Sequence, residues 1–494
     1  MIISPDRKDF STIFNTLGRL ILAFSLFLLV PLVVAVIERE VSPLFDFLIG
    51  FSVSVSLGFL LLILFPVQKN VGWIHAFFTV SLGWLVFSLL GAIPLYLSQH
   101  FLSFIDAWFE AMSGFATTGL TLIQDLDHLS FSHNMWRHLT MFIGGQGIIL
   151  ASLSILTRAR PVALGFYIGE ARQEKILPNV IATARFIWKV SFVYLILGVI
   201  TFCIILFKKG LPFETSFFHA LWIFCAAFDT GGFAPQAQNI AYYHSFPLEA
   251  ATIVFMILGA MNFNLHFWLW TKSKKEIFKN FEIRTFLWTL FSLAFILFFA
   301  LKGLSSNILF RKGFYQLISA HSGCGFTNLS AGGLNQFNEL ALLAIIFAMM
   351  IGGGVCSTTG GIKLMRLGIV FRTFFLEIKR RMMPFKAVSK DRFHHLQDLL
   401  LSDKMVKEAY LFFFIFLFTY VIGALAAMAL GYPAIQALFE SVSATASVGL
   451  SIGITNPAMP LVLKLVYIFQ MWAGRLEFIT IFVSLGFIIS LFKK

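Results

Sequence analysis

The sequence predicts an all-α polytopic membrane protein: ten transmembrane helices plus four re-entrant pore helices, arranged as four pseudo-symmetric helix–pore loop–helix units around one ion pore. Three observations carry this. The 494 residues are 58% hydrophobic and 12% charged, with a mean hydropathy of +0.85, whereas a soluble domain carries about 25% charged residues. Apolar runs near the roughly 20 residues needed to cross a bilayer recur at 19–38, 46–66, 72–97, 134–157, 185–207, 248–271, 284–301, 339–371, 408–430 and 459–491. Finally, a two-part glycine signature recurs four times in the last four-fifths of the chain.

Taken in order, residues 1–70 hold two leading helices. The run after Arg19 is too long for a secretory leader and lacks a small-residue cleavage site, so it reads as a true helix. Four units follow: 71–180, 181–280, 281–400 and 401–494. Each contains a short apolar run (101–118, 213–230, 311–324, 433–448) that cannot span and reads as a half-membrane helix. Each run leads to a glycine in a small, hydroxyl-rich setting: Thr117-Thr118-Gly119, Thr230-Gly231-Gly232, Gly323-Cys324-Gly325 and Ser447-Val448-Gly449. Downstream comes Met-x-x-Gly, at Met141, Met256, Met349 and Met471. The glycine-to-glycine distances are 144−119 = 25, 259−232 = 27, 352−325 = 27 and 474−449 = 25. A unit repeated four times in a membrane chain implies four quarters around a common axis, and an axis lined by four glycine-bearing loops is the construction of an ion pore.

Charge supports the same topology. Lys and Arg fall in alternate connections: Arg7, Lys8 and Arg19; Arg158, Arg160, Arg172 and Lys175; Lys272, Lys274, Lys275, Lys279 and Arg284; the dense run Arg366 to Lys407; and Lys493-Lys494. The positive-inside rule makes that side, and both termini, cytoplasmic. The net charge of +13 is thus a topology signal, and no nucleic-acid partner is expected. The four cysteines, Cys203, Cys225, Cys324 and Cys356, show no metal spacing, and no catalytic constellation marks an enzyme. The pair His394-His395 reads as solvated in the basic loop.

Candidate ion-binding residues are Thr117, Thr118, Gly119, Thr230, Gly231, Gly232, Gly323, Cys324, Gly325, Ser447, Val448 and Gly449, with the permeant cation expected at Thr118, Gly119, Gly231, Gly232, Cys324, Gly325, Val448 and Gly449. A dehydrated cation needs several carbonyl oxygens, and a bulky side chain at the glycine would crowd the lumen. Nine residues before each glycine stand Glu110, Ile223, Gln316 and Glu440; the two carboxylates read as hydrogen-bonding supports behind the loops. After the Met-x-x-Gly glycine come Gly145, Ala260, Gly353 and then Arg475. Pseudo-symmetry aims Arg475 at the axis, where a fixed cation opposes a permeant one; the competing reading pairs it with Glu477. The run Gly352 to Gly361 holds five glycines in ten residues and cannot be continuous helix. Gly354, Val355, Cys356, Ser357, Thr358, Thr359, Gly360 and Gly361, with Arg475, form the candidate gate.

These residues resemble the Trk/Ktr/HKT superfamily of potassium transporters, and within it the TrkH branch. The resemblance covers almost the whole chain. It rests on the leading helix pair, Gly144-Gly145-Gln146-Gly147, Asn262-Phe263 with His266, Ser357-Thr358-Thr359-Gly360-Gly361-Ile362-Lys363, and Gly474-Arg475-Leu476-Glu477. The resemblance implies K⁺ as permeant ion with no covalent cofactor, a homodimer with one pore per subunit in the cytoplasmic membrane, and a cytosolic nucleotide-binding partner of the TrkA type. It also implies that Gly119, Gly232, Gly325 and Gly449 are filter glycines, 354–361 the gating loop and Arg475 the pore arginine. The chain departs from that pattern at Gly323 and Cys324, where threonines are usual, and at Asp229, expected near the mouth. Two other readings stay open. One is a Na⁺-permeable or weakly selective member of the same fold. The other is a secondary transporter of an organic solute, which would place polar residues at one or two discontinuous helices.

Overall fold

A computed structural model of the chain describes residues 6–147, 163–170, 180–271, 275–302, 309–330, 332–384 and 391–493. Arg158, Arg160, Arg172, Lys175, Lys272, Lys274, Lys386 and Lys390 lie outside the described residues. Among the described residues the secondary structure is helical, apart from one two-stranded hairpin and an isolated bridge between Ile351 and Ile362.

The leading pair is α1 (Arg7–Ser25), continued through a 3₁₀ turn into α2 (Leu29–Ile37), and α3 (Val41–Leu64). The first span begins at Arg7 rather than near residue 19, so Arg19 lies within it at an exposed position. The start is fixed by Asp6, whose carboxylate accepts Asp9 N while Asp9 returns the bond. Then come α4 (Trp73–Leu97), α5 (Phe104–Phe115), α6 (Phe131–Gln146), α7 (Ala163–Gly169), α8 (Val180–Lys208), α9 (Phe213–Phe228), α10 (Phe246–Ala260) and α11 (Phe263–Thr271). After the single turn Glu276–Lys279 follow α12 (Phe281–Ala300), α13 (Phe314–His321), α14 (Glu339–Met350) and α15 (Leu364–Met382). The hairpin β1 (Arg392–His395) and β2 (Gln397–Leu400) precedes α16 (Asp403–Ala429), α17 (Ala434–Thr445), α18 (Leu461–Arg475) and α19 (Ile479–Ile489).

Among the described residues, six helices are long and apolar enough to cross a membrane, or eight if two bent pairs each count as one span. Long apolar side chains such as Ile63, Phe291, Phe418 and Phe469 remain exposed, the surface that a bilayer covers. The short helices α5, α9, α13 and α17 occupy the four interrupted runs. They are buried rather than lipid-facing.

The structure bends two of the expected spans, which the sequence did not foresee, and interrupts a third where the glycine run predicts it. The run 248–271 is bent by 101° between α10 and α11, and the run 459–491 by 106° between α18 and α19. The run 339–371 ends at Met350 and resumes at Leu364. Only the last break was legible as a glycine cluster. The other two fall at Met261-Asn262 and at Leu476 to Phe478, where Glu477 and Phe478 have φ of 51° and 63°. These are left-handed conformations that a helix cannot continue through. In the first unit α6 stops at Gln146, with Gly147 at φ 92°.

Candidate functional site: a ring of four loops

The four half-helices end in loops of one backbone pattern. Positive φ recurs at alternate positions: Thr117 (51°) and Gly119 (90°), Thr230 (51°) and Gly232 (71°), Gly323 (72°) and Gly325 (84°), Ser447 (54°) and Gly449 (89°). The residue between each pair donates its N–H to a helix carbonyl five residues back. The bonds are Thr118 to Ser113 (2.8 Å), Gly231 to Ala226 (2.8 Å), Cys324 to Ser319 (3.0 Å) and Val448 to Ser443 (2.9 Å). Left-handed backbone at Thr117, Thr230 and Ser447 is strained for residues with a Cβ; Gly323 adopts it freely.

The loops close on one another. A Cβ on Gly119 would overlap the carbonyl oxygen of Gly231, on Gly232 that of Cys324, on Gly325 that of Val448, and on Gly449 that of Thr118. Each glycine therefore lets the next loop's carbonyl approach, in chain order and back to the start. A polar cavity of about 180 Å³ opens on one side of this ring, lined by all four glycines with Thr121, Thr327, Ser451 and Thr455 among others.

Behind the ring, the position nine residues upstream does the supporting work. Glu110 accepts from Thr121 Oγ1 (2.9 Å), Leu122 N (3.0 Å) and Arg137 Nε (2.8 Å). Glu440 accepts from Ser451 Oγ (2.5 Å), Ile452 N (3.0 Å) and Thr455 Oγ1 (2.8 Å). Gln316 donates to Thr327 Oγ1 (3.1 Å) and Asn328 Oδ1 (3.0 Å). Both carboxylates are fully buried, and these donors offset what burial of a charge costs. Cys324 turns its thiol to the Ala226 carbonyl at 3.4 Å, a bond that holds the third loop where a hydroxyl was expected.

The Met-x-x-Gly glycines have a separate task. A Cβ on Gly144, Gly259 or Gly474 would strike the carbonyl of Phe115, Phe228 or Thr445, each the last residue of its unit's half-helix. In the third unit Gly352 meets the Gly360 carbonyl instead, because the broken chain has folded back beneath the ring.

That segment brings Thr358 under the first two loops. Its hydroxyl donates to Gly259 O (3.0 Å) and Phe228 O (3.2 Å) and lies 3.1 Å from Thr230 Oγ1. Arg475 reaches the same place, donating to Thr358 O (2.7 Å) and Gly144 O (2.6 Å). Glu477 pairs instead with Arg366 at 2.5 Å, both buried, so the Arg475–Glu477 pairing does not occur. Below lies a pocket of about 20 Å³, lined by Cys356, Ser357, Lys363, Arg475 and Glu477 among others, with room for about one water.

Asp229 is not at the mouth. It is fully buried at the C-cap of α9, is not among the residues lining the polar cavity, and its carboxylate accepts from Gln146 Nε2 at 2.7 Å. Of the histidine pair, only His394 keeps partial solvent exposure. His395 is 4% exposed, and His394 lies 2.8 Å from both Asp398 and Glu276.

The class this defines is a helical protein with six to eight apolar spans among its described residues and four buried half-helices whose loops meet in a ring, and the comparisons place it in a family. The family model described as TrkH, cation transport protein, matches residues 43–489, and the chain belongs to that family. It is 34% identical to an uncharacterized cation transporter of Methanocaldococcus jannaschii, over 97% of this chain and 95% of that one. It is 28% identical to the Trk system potassium uptake protein TrkH of Escherichia coli K12, over 96% and 98%. The crystal structure of the potassium transporter TrkH from Vibrio parahaemolyticus superposes with a TM-score of 0.81 at 25% identity, covering 96% of this chain and 98% of that one.

Proposed function

We propose that this chain is a potassium uptake protein whose pathway runs through the ring formed by its four loops. The observation that carries the reading is the closed cycle of glycine-to-carbonyl approaches from Gly119 round to Gly449. Carbonyls from Thr118 to Gly119, Gly231 to Gly232, Cys324 to Gly325 and Val448 to Gly449 would replace the hydration shell of K⁺. The half-helices point their C-terminal ends at the ring and add a field that attracts cations. The E. coli and V. parahaemolyticus relatives, named for potassium, support the choice of ion.

In this reading the chain makes ten spans and four re-entrant half-helices, in four pseudo-symmetric units with the boundaries 71–180, 181–280, 281–400 and 401–494 after the leading pair 1–70. Residues 354–361 and Arg475 form the gate, and their bonds to Gly259, Gly144 and each other support reading this arrangement as its shut state. The protein sits in the cytoplasmic membrane with both termini inside. It pairs as a homodimer, and a cytosolic TrkA-type nucleotide-binding subunit biases the gate. A partner shifts the gate only by binding its two states differently.

Expression in a bacterium lacking K⁺ uptake tests this. Growth on low K⁺, competed by Rb⁺ but not by excess Na⁺, is expected. Equal competition by Na⁺ would favour the weakly selective alternative, and absence of rescue with the protein in the membrane would overturn the reading.

A further inference from the structure

The basic connection between α15 and α16 carries the molecule's described hairpin. Its hairpin, β1 and β2, turns at Leu396, which has φ 61°. The hairpin faces the start of α12. Phe393 is 3% exposed, and its ring centroid lies 5.0 Å from that of Phe281. His395 Nδ1 lies 3.4 Å from Asn280 Nδ2 and 3.9 Å from Glu282 Oε2. Asn280 caps α12 by accepting from Glu282 N at 2.9 Å.

Glu282, 1% exposed, then reaches the other way. Its Oε1 accepts from Val355 N at 2.7 Å, inside the proposed gate. Its Oε2 accepts from Asn262 Nδ2 at 3.2 Å, at the break between α10 and α11. The two broken segments are also joined directly, by Gly354 N to Ala260 O (2.9 Å) and Phe263 N to Cys356 O (3.3 Å). One buried carboxylate in the first turn of a helix, where the helix dipole favours its charge, thus touches the hairpin, the second break and the third break.

We propose that Glu282 is the latch that holds residues 354–361 beneath the ring, and that the 392–400 hairpin is the lever that works it. The latch rests on the gate reading above. Glu282 is a positioning residue: it touches no permeant ion, and it acts by fixing Val355 and Asn262. Moving the hairpin away from Phe281 disturbs Asn280 and Glu282 first, and the loop through them. A ligand or protein that binds the hairpin in its displaced position would open the pathway without entering the membrane.

Cys356 gives a readout that does not depend on transport. It lies within the loop and is 3% exposed, while Cys225 and Cys324 are buried in α9 and the ring. The full chain is placed in inside-out vesicles and treated with a membrane-impermeant methanethiosulfonate, and the labelled cysteine is located by mass spectrometry. Glu282→Gln removes a charge-assisted bond and should speed labelling of Cys356 about tenfold, with Cys225 and Cys324 unchanged. Phe393→Ala, which removes the ring packed against Phe281, should do the same from the hairpin side.

Unchanged Cys356 labelling in Glu282→Gln overturns the latch. Parallel gains at all three cysteines overturn it too, since that is general loosening. A response to Glu282→Gln but not to Phe393→Ala overturns the lever. Rb⁺ flux in the same vesicles separates this proposal from the gate. Faster Cys356 labelling without faster flux contradicts the gate reading and leaves the latch standing.

Discussion

Arg475 donates to Thr358 O and Gly144 O from the last turn of α18, so it joins three of the four units beneath the ring. In a cation pathway its charge raises the barrier wherever water does not screen it. Arg475→Gln should raise Rb⁺ flux by about tenfold or more; unchanged or lower flux in folded protein would make the side chain a packing element. Glu110 and Arg137 form a pair 2.8 Å apart, exposed by 0% and 1%. Glu110→Ala should cost about 3–5 kcal/mol by leaving a buried guanidinium without its carboxylate, which thermal unfolding in detergent would register as a lower midpoint. The Glu at this position was legible from its repetition at Glu440. Arg137 was not, because a lone arginine in an apolar run carries no spacing signal. It appears only once Glu110 and the Phe233 ring, 4.2 Å from its guanidinium carbon, surround it.

At the scale of elements, the short apolar runs and their glycines were readable because length and repetition are sequence properties. The bends after Ala260 and Arg475 were not. Asn262 and Phe478 carry no helix-breaking signal, and the breaks come from tertiary bonds such as Asn262 to Glu282 and from the close passage of Gly474 over Thr445. The loop 352–361 was readable, since its glycines disfavour helix on their own. Shortening it by several residues should leave flux that no longer responds to partner or nucleotide; a shortened chain that still opens and closes as the parent does would place the gate elsewhere. The hairpin adds a pH signature. A hydrogen bond to Asp398, with a further one to Glu276 and against partial desolvation, raises His394 above its ordinary 6.5. Its contribution to hairpin docking is therefore complete below pH 6.5 and is lost as pH rises through the raised value. After division by the intrinsic base-catalysed rate, amide protection across 392–400 should fall over that window in the parent and stay level in His394→Gln.

Across the whole molecule, the apolar exterior and the polar ring divide the labour. The bilayer covers side chains such as Phe291 and Phe418, while bonds within each unit satisfy the loop backbone that lipid could not tolerate. The pairwise closure of the loops in chain order was not contained in any one segment. Four matching spacings implied an axis, but which carbonyl meets which glycine is set by how neighbouring units pack. Gly119→Ser and Gly449→Ser should each force apart one contact of the cycle, with Gly231 and Thr118 respectively, and lower the preference for K⁺ over Na⁺ in flux competition. In the proposed pathway the cycle itself holds the ion. Crystals of the protein grown in Rb⁺ and measured at the rubidium edge test it most directly. Anomalous density is expected inside the ring bounded by Thr118, Gly231, Cys324 and Val448, with none in the pocket below Arg475. Density confined to other parts of the molecule, with the ring empty at saturating Rb⁺, would contradict it.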